Sequence, residues 1–306
     1  MKEHFIDVDV DVVDGDVDLD RVRLRAIEEG RGEPVLVLHG FSGDAESMAS
    51  VADGLRDRCR VFRLELLGHG GSDAPAQAAA YSMAACVAQI RAAARALELT
   101  RPHLVGYSMG GRAALAAAVS APGDFSSLVL VGATAGIADA GLRAQRIRAD
   151  RALADRIEAG GVELFVDEWM ALPLFASQAR LGAGALARAR AQRLRNSARG
   201  LAGSLRGMGA GAQRPLHELL ATLVLPTLLV VGEEDEKFKG IAADLASRLS
   251  VAQIAVLPQA GHAAHLEAPD EFRRVVCRFL GEHPIGRPAR DSDFERERVA
   301  SSKGRR

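Results

Sequence analysis

Residues 106–110 read Gly-Tyr-Ser-Met-Gly, a G-x-S-x-G motif centred on Ser108. A short apolar run precedes the motif, and an Ala/Leu-rich run with good helix propensity follows it. This context predicts a sharp strand-to-helix turn that pushes the serine Oγ out at the top of a sheet, with glycines that let neighbouring backbone pass close. Ser108 is therefore the candidate nucleophile of an enzyme.

The acid partner must lie on a loop after a later strand, because acid and then histidine follow the serine in chain order in this arrangement. The loop after the predicted strand at 226–231 offers four carboxylates. We choose Asp235, since a short side chain a few residues past the strand best fits a fixed contact with an imidazole. Glu233, Glu234 and Glu236 are the alternatives.

The histidine must take the serine's proton, because a serine hydroxyl is a poor nucleophile without a neighbouring base. His262 follows the predicted strand at 253–257 and is our candidate base. Its rival, His265, lies at the start of the next helical segment, where we expect it to cap or pack. The pair lacks the i, i+4 spacing of H-E-x-x-H, so we predict no metal here.

An oxyanion hole needs two backbone N–H groups, one after the serine and one after an early strand. Met109 and Phe41 occupy those places. His39 and Gly40 precede Phe41, permit the close approach of the backbone, and are predicted to contribute to the substrate site. His69, in a second Gly-rich loop, is expected to fix the shape of that loop.

The elements that position these residues alternate between strands and helices, which predicts an α/β fold with a parallel sheet and right-handed crossovers. The 306 residues suffice for one such domain with an insertion. Strands are predicted at residues 34–38, 60–64, 103–105, 127–131, 226–231 and 253–257, and helices at 47–58, 82–97, after Ser108 and at 269–280.

Residues 133–220 interrupt this alternation with helical patterns only. They contain thirteen arginines, no lysine and eight carboxylates, so the segment is net positive. We predict a helical lid over the carboxyl ends of the strands, where open α/β sheets bind ligands. The core then comprises residues 1–132 and 221–282.

Both ends of the chain are charged. Residues 6–28 alternate apolar residues with Asp and Arg around Asp14 and Gly15, which predicts a two-stranded hairpin. Its seven aspartates do not predict a calcium loop, because Val10 and Val12 stand where ligands would be needed, so they form a solvated strand face. The tail from residue 283 is predicted to be disordered.

Composition excludes several classes of protein. A net charge of −1 argues against a nucleic-acid surface. Residues 1–9 lack the apolar core of a signal peptide, and no apolar run is long enough to span a bilayer, so we expect neither a leader nor a membrane span. The widely spaced Cys59, Cys86 and Cys277 are typical of reduced core thiols in a cytoplasmic protein.

Two features indicate a polycarboxylate substrate. Arg112 lies one helical turn after Ser108, so its side chain can reach the floor of the pocket. The lid arginines stand near the aromatic residues Trp169 and Phe175, and guanidinium groups bind carboxylates through paired hydrogen bonds.

The chain as a whole resembles a known family. The segments that carry the resemblance are GYSMGGR (106–112), AGIAD…LRAQRIRAD (135–150), W-x-x-x-PLF (169–175), SLRGMGAGAQ (204–213), GEEDEKF (232–238) and AGHAAHLE (260–267). Together they are similar to the 2-succinyl-6-hydroxy-2,4-cyclohexadiene-1-carboxylate synthases of menaquinone biosynthesis, members of the α/β-hydrolase superfamily. The likeness covers nearly all of residues 34–280, and its lid segments are the most specific part.

The resemblance implies a lyase that eliminates pyruvate from 2-succinyl-5-enolpyruvyl-6-hydroxy-3-cyclohexene-1-carboxylate, with a triad serine as the base and no cofactor. The family's positions for the triad fall on Ser108, Asp235 and His262. The family's carboxylate-binding arginines correspond to Arg112, Arg146 and Arg193. A small shift in the alignment would replace Arg146 with Arg143 and Arg193 with Arg195. The family's pocket aromatics correspond to Tyr107, Trp169 and Phe175.

The chain departs from the family in having Glu65 in place of the usual Asp and Met48 in place of a common Trp. The triad residues alone would equally support hydrolysis of a C–C or ester bond. From these observations we predict a monomeric, cytoplasmic enzyme that acts on a small polycarboxylate, without nucleic acid or membrane as a partner.

Overall fold

The computed structural model describes residues 1–9 and 21–286. In this part of the chain, eight strands form one sheet in the order β1-β2-β4-β3-β5-β6-β7-β8, in which β1, β2 and β4 pair antiparallel and all other neighbours pair parallel. The strands are β1 (Lys2–Asp9), β2 (Arg21–Gly30), β3 (Glu33–Leu38), β4 (Cys59–Leu64), β5 (His103–Tyr107), β6 (Ser127–Val131), β7 (Thr227–Gly232) and β8 (Ala252–Leu257).

Helices cover both faces of the sheet: α1 (Ala49–Leu55), α2 (Met83–Ala96), α3 (Met109–Ser120), α4 (Ala140–Met170), α5 (Ala183–Arg193), α6 (Ala198–Met208), α7 (Glu236–Arg248), α8 (Ala264–Glu267) and α9 (Pro269–Glu282). The predicted alternation is therefore present, with boundaries shifted by up to three residues. The helix predicted at 47–58 is shorter because its start is a 3₁₀ turn, Glu46–Met48.

The central strands are apolar along their whole length because both of their faces are covered. Alternate residues of β3 enter different cores: Leu36 and Leu38 pack towards α2, α3 and α7, while Val35 and Val37 pack towards α1 and α9. This two-sided burial fixes the register of the strands, since a slip by one residue would exchange the two faces.

The N-terminal hairpin forms, and its strands extend to Lys2–Asp9 and Arg21–Gly30. Ile6, Val8, Val22 and Leu24 join the core, whereas Phe5 is exposed. Asp7 and Asp9 lie opposite Arg23 and Arg21 and pair with them at 2.9 Å on the exposed face. These two aspartates lie on a solvated strand face, as predicted. The predicted turn at Asp14 and Gly15, and the tail beyond residue 286, lie outside the described residues.

Residues 132–226 contain no strand and carry α4, α5, α6 and two 3₁₀ segments, Pro173–Leu181 and His217–Thr222. We call this stretch the helical insertion. It has a small core of its own, formed chiefly by α4 and α6. The helix α4 is interrupted at Gly161, whose φ of 82° lies in the left-handed region that glycine adopts readily.

Among the described residues, none of the helices is both long and apolar enough to cross a membrane. The three cysteines are free, and Cys59 and Cys86 are buried while Cys277 is half-buried.

Candidate active site

Ser108 occupies the turn between β5 and α3. Its φ of 50° and ψ of −107° are strained for a residue with a side chain, as expected of a nucleophile at a sharp elbow. The turn requires glycine on both sides: a Cβ on Gly106 would lie 2.5 Å from the Gly110 carbonyl oxygen, and one on Gly110 would lie 2.4 Å from the His39 carbonyl oxygen. The Ser108 N–H donates to the Val131 carbonyl at 2.8 Å.

His262 links Ser108 to Asp235. Its Nε2 lies 3.1 Å from Ser108 Oγ, and its Nδ1 lies 2.9 Å from Asp235 Oδ2. These contacts suit a histidine that donates from Nδ1 to the carboxylate and takes a proton from the serine at Nε2. The structure therefore brings together the three residues selected from the sequence.

Asp235 is the carboxylate that reaches His262, and its other oxygen caps α7 by accepting from the Phe238 N–H. The three alternatives are engaged elsewhere. Glu233 accepts from the Gln259 N–H, Glu234 pairs with Arg180, and Glu236 pairs with Lys239.

Aromatic rings surround His262, the candidate base. The ring centroid of His262 lies 4.4 Å from that of Phe238, 5.5 Å from that of Tyr107 and 6.3 Å from that of Phe175. The rival His265 is buried against Tyr107, at 4.5 Å between centroids, and neither of its ring nitrogens has a partner in the described structure. Burial, and then the neighbouring His262, lower the pKa of His265 to about 3.

The backbone around Phe41 is held by a buried histidine. His39 Nε2 accepts from the Leu66 N–H at 3.0 Å, so its Nδ1 carries the proton and donates to the Gly40 carbonyl at 2.8 Å. Gly40 has no space for a side chain, because a Cβ would lie 2.8 Å from the Tyr107 ring. His69 is buried beside His39, with ring centroids 4.9 Å apart, which agrees with a role in shaping its loop.

Met109 is the first residue of α3, where the backbone N–H has no acceptor within the helix. Phe41 and Met109 both line the cavity that contains Ser108 and His262. Their N–H groups are thus available candidates for an oxyanion hole.

A cavity of about 600 Å³ opens over the serine. Residues of both the sheet edge and the helical insertion line it. They include six of the eight residues predicted to contribute to the substrate site, Tyr107, Arg112, Arg146, Trp169, Phe175 and Arg193, whereas His39 and Gly40 are not among the lining residues.

Arg112 is buried, with 8% of the residue exposed, so it is not a solvated surface charge. Its Nη1 donates to Gln213 Oε1 at 3.0 Å, and its Nη2 donates to the Met208 carbonyl at 2.7 Å. Burial, followed by the nearby Arg146, lowers the pKa of Arg112 to about 10. The guanidinium therefore remains charged at neutral pH.

The other two arginines lie on the insertion. Arg146 Nε donates to the buried carboxylate of Asp150 at 2.7 Å, one turn along α4, and its side chain is 45% exposed. Arg193 Nη1 donates to the Ala189 carbonyl, while its buried Nε has no partner among the described residues. Burial lowers the pKa of Arg193.

The alternatives in register do not line this cavity. Arg143 Nη1 donates to the Ile137 and Ala138 carbonyls. Arg195 pairs with Asp44 and Glu46 at another surface.

Sequence reasoning missed the partners of the arginines. Gln213 and Asp150 hold Arg112 and Arg146, yet neither residue type indicates such a role before the fold is known. An i, i+4 spacing between Arg146 and Asp150 was the only available signal.

The two departures from the family pattern are buried structural residues. Glu65 accepts from Arg25 Nη1 at 2.8 Å, from the Ala45 N–H at 3.1 Å and from the Gly71 N–H at 2.6 Å. Met48 packs in the core beside α1. Within residues 1–9 and 21–286, no group of three or more His, Cys, Asp or Glu side chains is placed to hold a metal ion.

The mostly parallel sheet, the strained serine and its His–Asp partners define an enzyme of the α/β-hydrolase class. The sequence profile of the alpha/beta hydrolase fold matches residues 33–269. Among solved structures, MenH from S. aureus has a TM-score of 0.80 and 30% sequence identity, covering 85% of this chain and 98% of that one.

Relatives of similar sequence indicate which family within this class the chain belongs to. The chain is 40% identical over 263 residues to a putative 2-succinyl-6-hydroxy-2,4-cyclohexadiene-1-carboxylate synthase from Bacillus subtilis (strain 168), covering 85% of this chain and 96% of that protein. It is 34% identical over 239 residues to the synthase of that name from Salmonella agona (strain SL483), covering 78% and 90%. The chain belongs to the family of 2-succinyl-6-hydroxy-2,4-cyclohexadiene-1-carboxylate synthases.

Proposed function

We propose that this enzyme eliminates pyruvate from 2-succinyl-5-enolpyruvyl-6-hydroxy-3-cyclohexene-1-carboxylate to give 2-succinyl-6-hydroxy-2,4-cyclohexadiene-1-carboxylate, a step of menaquinone biosynthesis. One observation carries the proposal. The Ser108–His262–Asp235 contacts open onto a cavity that three arginines line.

In the proposed reaction, His262 Nε2 takes the proton of Ser108 Oγ, and the oxygen in turn removes a proton next to a substrate carbonyl. The electron pair of the broken C–H bond forms an enolate. Its collapse expels the enolpyruvyl oxygen, and the released enolpyruvate takes up a proton to become pyruvate. Asp235 keeps Nδ1 of the imidazole protonated and stabilises the imidazolium that forms.

The enolate needs the same stabilisation as the oxyanion of acyl transfer. Phe41 and Met109 line the cavity together with Ser108, and their N–H groups are our candidates for this task. Donors fixed by the fold act without reorganisation at the moment of reaction, which makes them effective in a closed site.

The substrate carries three carboxylates, and we assign them to Arg112, Arg146 and Arg193. The unpartnered Nε of Arg193 and the exposed part of Arg146 leave donors for an anion. Planar guanidinium groups bind carboxylates through two parallel hydrogen bonds, which orients the ligand as well as holding it.

Tyr107, Trp169 and Phe175 supply apolar walls for the ring of the substrate. Trp169 lies 5.9 Å from Phe175 between centroids, and both belong to the insertion. A hydrolase for a C–C or ester bond would use the same triad, but a neutral ester would leave the arginines unused. That the enzyme works in the cytoplasm as a monomer and without a cofactor stays a prediction.

The test is to incubate the purified protein with the enolpyruvyl precursor and to measure pyruvate by coupling to lactate dehydrogenase. We expect one pyruvate per precursor, and none above background from the Ser108→Ala variant. Absence of pyruvate with the wild-type protein would refute the proposal.

A further inference from the structure

The loop that carries His262, between β8 and α8, is bound by one carboxylate on both sides of the histidine. Glu267 Oε2 accepts from the Gly261 N–H at 2.9 Å, and Oε1 accepts from the Ala263 N–H at 3.2 Å. The Glu267 side chain is only 2% exposed. Both oxygens of a buried carboxylate are thus used to hold the residues next to the catalytic base.

The helical insertion contacts the same loop. Ser177 packs so closely on Gly261 that a Cβ on this glycine would lie 2.1 Å from the serine Oγ. Arg180 Nη2 donates to the Gln259 carbonyl at 2.8 Å and lies 3.8 Å from Glu267 Oε2. The loop is therefore in contact with Glu267 and with the 3₁₀ segment Pro173–Leu181.

His262 has to meet Ser108 and Asp235 at the same time, at 3.1 and 2.9 Å. Hydrogen bonds weaken steeply when distance or angle departs from these values, so a small displacement of the loop costs both contacts. The rings of Tyr107, Phe175 and Phe238 limit the space around the imidazole, but its two ring nitrogens are used by Ser108 and Asp235. The position of the His262 side chain therefore depends on the backbone of the residues on either side of it.

We propose that Glu267 is a positioning residue for His262, and that Arg180 links this position to the helical insertion. The proposal rests on the proton-transfer role assigned to Ser108 and His262 above. Glu267 does not touch the substrate cavity and acts only through the loop.

A simpler role has to be distinguished. A carboxylate that binds N–H groups at the start of a short helix resembles a capping box. In this simpler role, Glu267 would only cap the N-terminus of α8. In that case its loss would reduce the fraction of folded protein, while every folded molecule would keep its full rate.

The measurement that separates the two roles is phosphonylation of Ser108 by a fluorophosphonate, followed in single-turnover experiments. The amplitude of the reaction gives the fraction of protein molecules with a reactive Ser108. The rate constant shows how well His262 activates Ser108 in those molecules. For Glu267→Ala we expect the rate per site to fall about 10- to 100-fold, the loss typical of small misplacement of a catalytic group. The kcat for pyruvate release should fall in proportion, with KM nearly unchanged.

The variant Glu267→Gln keeps the shape and one acceptor oxygen, so its loss of rate should be smaller than that of Glu267→Ala. Glu233→Gln is the matched control, because Glu233 also binds an N–H of this loop, that of Gln259, but not one beside His262. It should react at the wild-type rate. Arg180→Gln should give a smaller loss than Glu267→Gln, since the Arg180 side chain is half exposed.

A fall in amplitude with an unchanged rate per site in both Glu267 variants would overturn the proposal in favour of simple capping, and so would an equal loss in Glu233→Gln. The result is independent of the substrate. If the wild-type protein reacted with the fluorophosphonate but released no pyruvate, the proposed function would fail while the positioning role of Glu267 would still be measured.

Discussion

The sheet edge and the helical insertion position their functional residues in different ways. Ser108, Asp235 and His262 each follow a strand of one sheet, and they contact one another directly. The arginines of the insertion are held by neighbours on their own helices: Arg146 by Asp150, and Arg193 by the Ala189 carbonyl. The insertion also has a separate small core.

This difference indicates a division of labour. In the proposed function, Ser108, Asp235 and His262 at the sheet edge transfer protons, whereas the arginines of the insertion bind the substrate. Arg112 connects the two, because it lies on α3 but donates to Gln213 and Met208 of the insertion. Substitutions at the sheet edge should therefore abolish chemistry, and substitutions in the insertion should weaken recognition.

The largest effect is expected at the triad. Ser108→Ala and His262→Ala should each lower turnover by orders of magnitude without unfolding the protein. Because the two residues act as one unit, the double variant should be hardly slower than either single variant. Steady-state assays of pyruvate release check this, and a double variant whose loss equals the product of the single losses would contradict the account.

Arg112→Ala should have the next largest effect, about 2–5 kcal/mol in kcat/KM, because a substrate carboxylate would be left in the cavity without its partner. Arg112→Lys should recover only part of this loss, since an ammonium group lacks the planar fork. Circular dichroism serves as the control for folding. Full activity of the alanine variant would remove Arg112 from the site.

Arg146→Ala and Arg193→Ala test the insertion itself. Each should cost about 1.5–3 kcal/mol in kcat/KM, the usual range for hydrogen bonds to a charged group, mostly through KM. Their matched controls are Arg143→Ala and Arg195→Ala, which should leave KM near the wild-type value. If Arg146→Ala were silent and Arg143→Ala impaired, the second carboxylate subsite would belong to Arg143 instead.

The smallest effect on turnover is expected for His265→Phe, which instead tests stability against acid. The folded protein keeps this histidine neutral, because burial lowers its pKa to about 3. Below about pH 6.5 the unfolded chain binds a proton that the folded chain does not, so stability falls with decreasing pH by about 1.4 kcal/mol per unit for this group. Stability from neutral His265 is thus present above pH 6.5 and is lost towards pH 3.

In His265→Phe that contribution to the slope should disappear. Urea unfolding at pH 7 and pH 5 measures this contribution. Between these two pH values the wild-type protein should lose about 2 kcal/mol more free energy of unfolding than His265→Phe. His69, whose pKa is likewise lowered to about 3 by burial and then by His39, remains in both proteins and leaves a residual slope. An identical slope in the variant would show that His265 is not the group responsible.

The sequence predicted the sheet edge better than the insertion, for a physical reason. Strands and turns have local sequence signals, and the carboxyl ends of parallel strands lie at the same edge of a sheet. The proximity of Ser108 and His262 could therefore be predicted from the sequence. The identity of the acid among four neighbouring carboxylates depended only on side-chain length, and the 2.9 Å contact of Asp235 with His262 now supports it.

The insertion had no such constraint. Its helices could be predicted from composition, but the break in α4 at Gly161 and the holding of Arg112 by Gln213 depend on packing between distant segments. The resemblance to a family placed Arg146 and Arg193, and the cavity lining separates them from Arg143 and Arg195. Their roles in binding stay predictions.

In the proposed reaction Ser108 acts as a base in an elimination, and water takes no part. The direct measurement is to run the reaction in ¹⁸O-labelled water, trap pyruvate at once as lactate, and determine the mass of both products. We predict a ring product that has lost the enolpyruvyl group as pyruvate, with no ¹⁸O in either product and no burst of acylated Ser108 with aryl esters. Detection of ¹⁸O in either product, a ring product heavier than the diene by the elements of one water, or efficient ester turnover with a burst and no pyruvate would contradict this mechanism and identify a hydrolase.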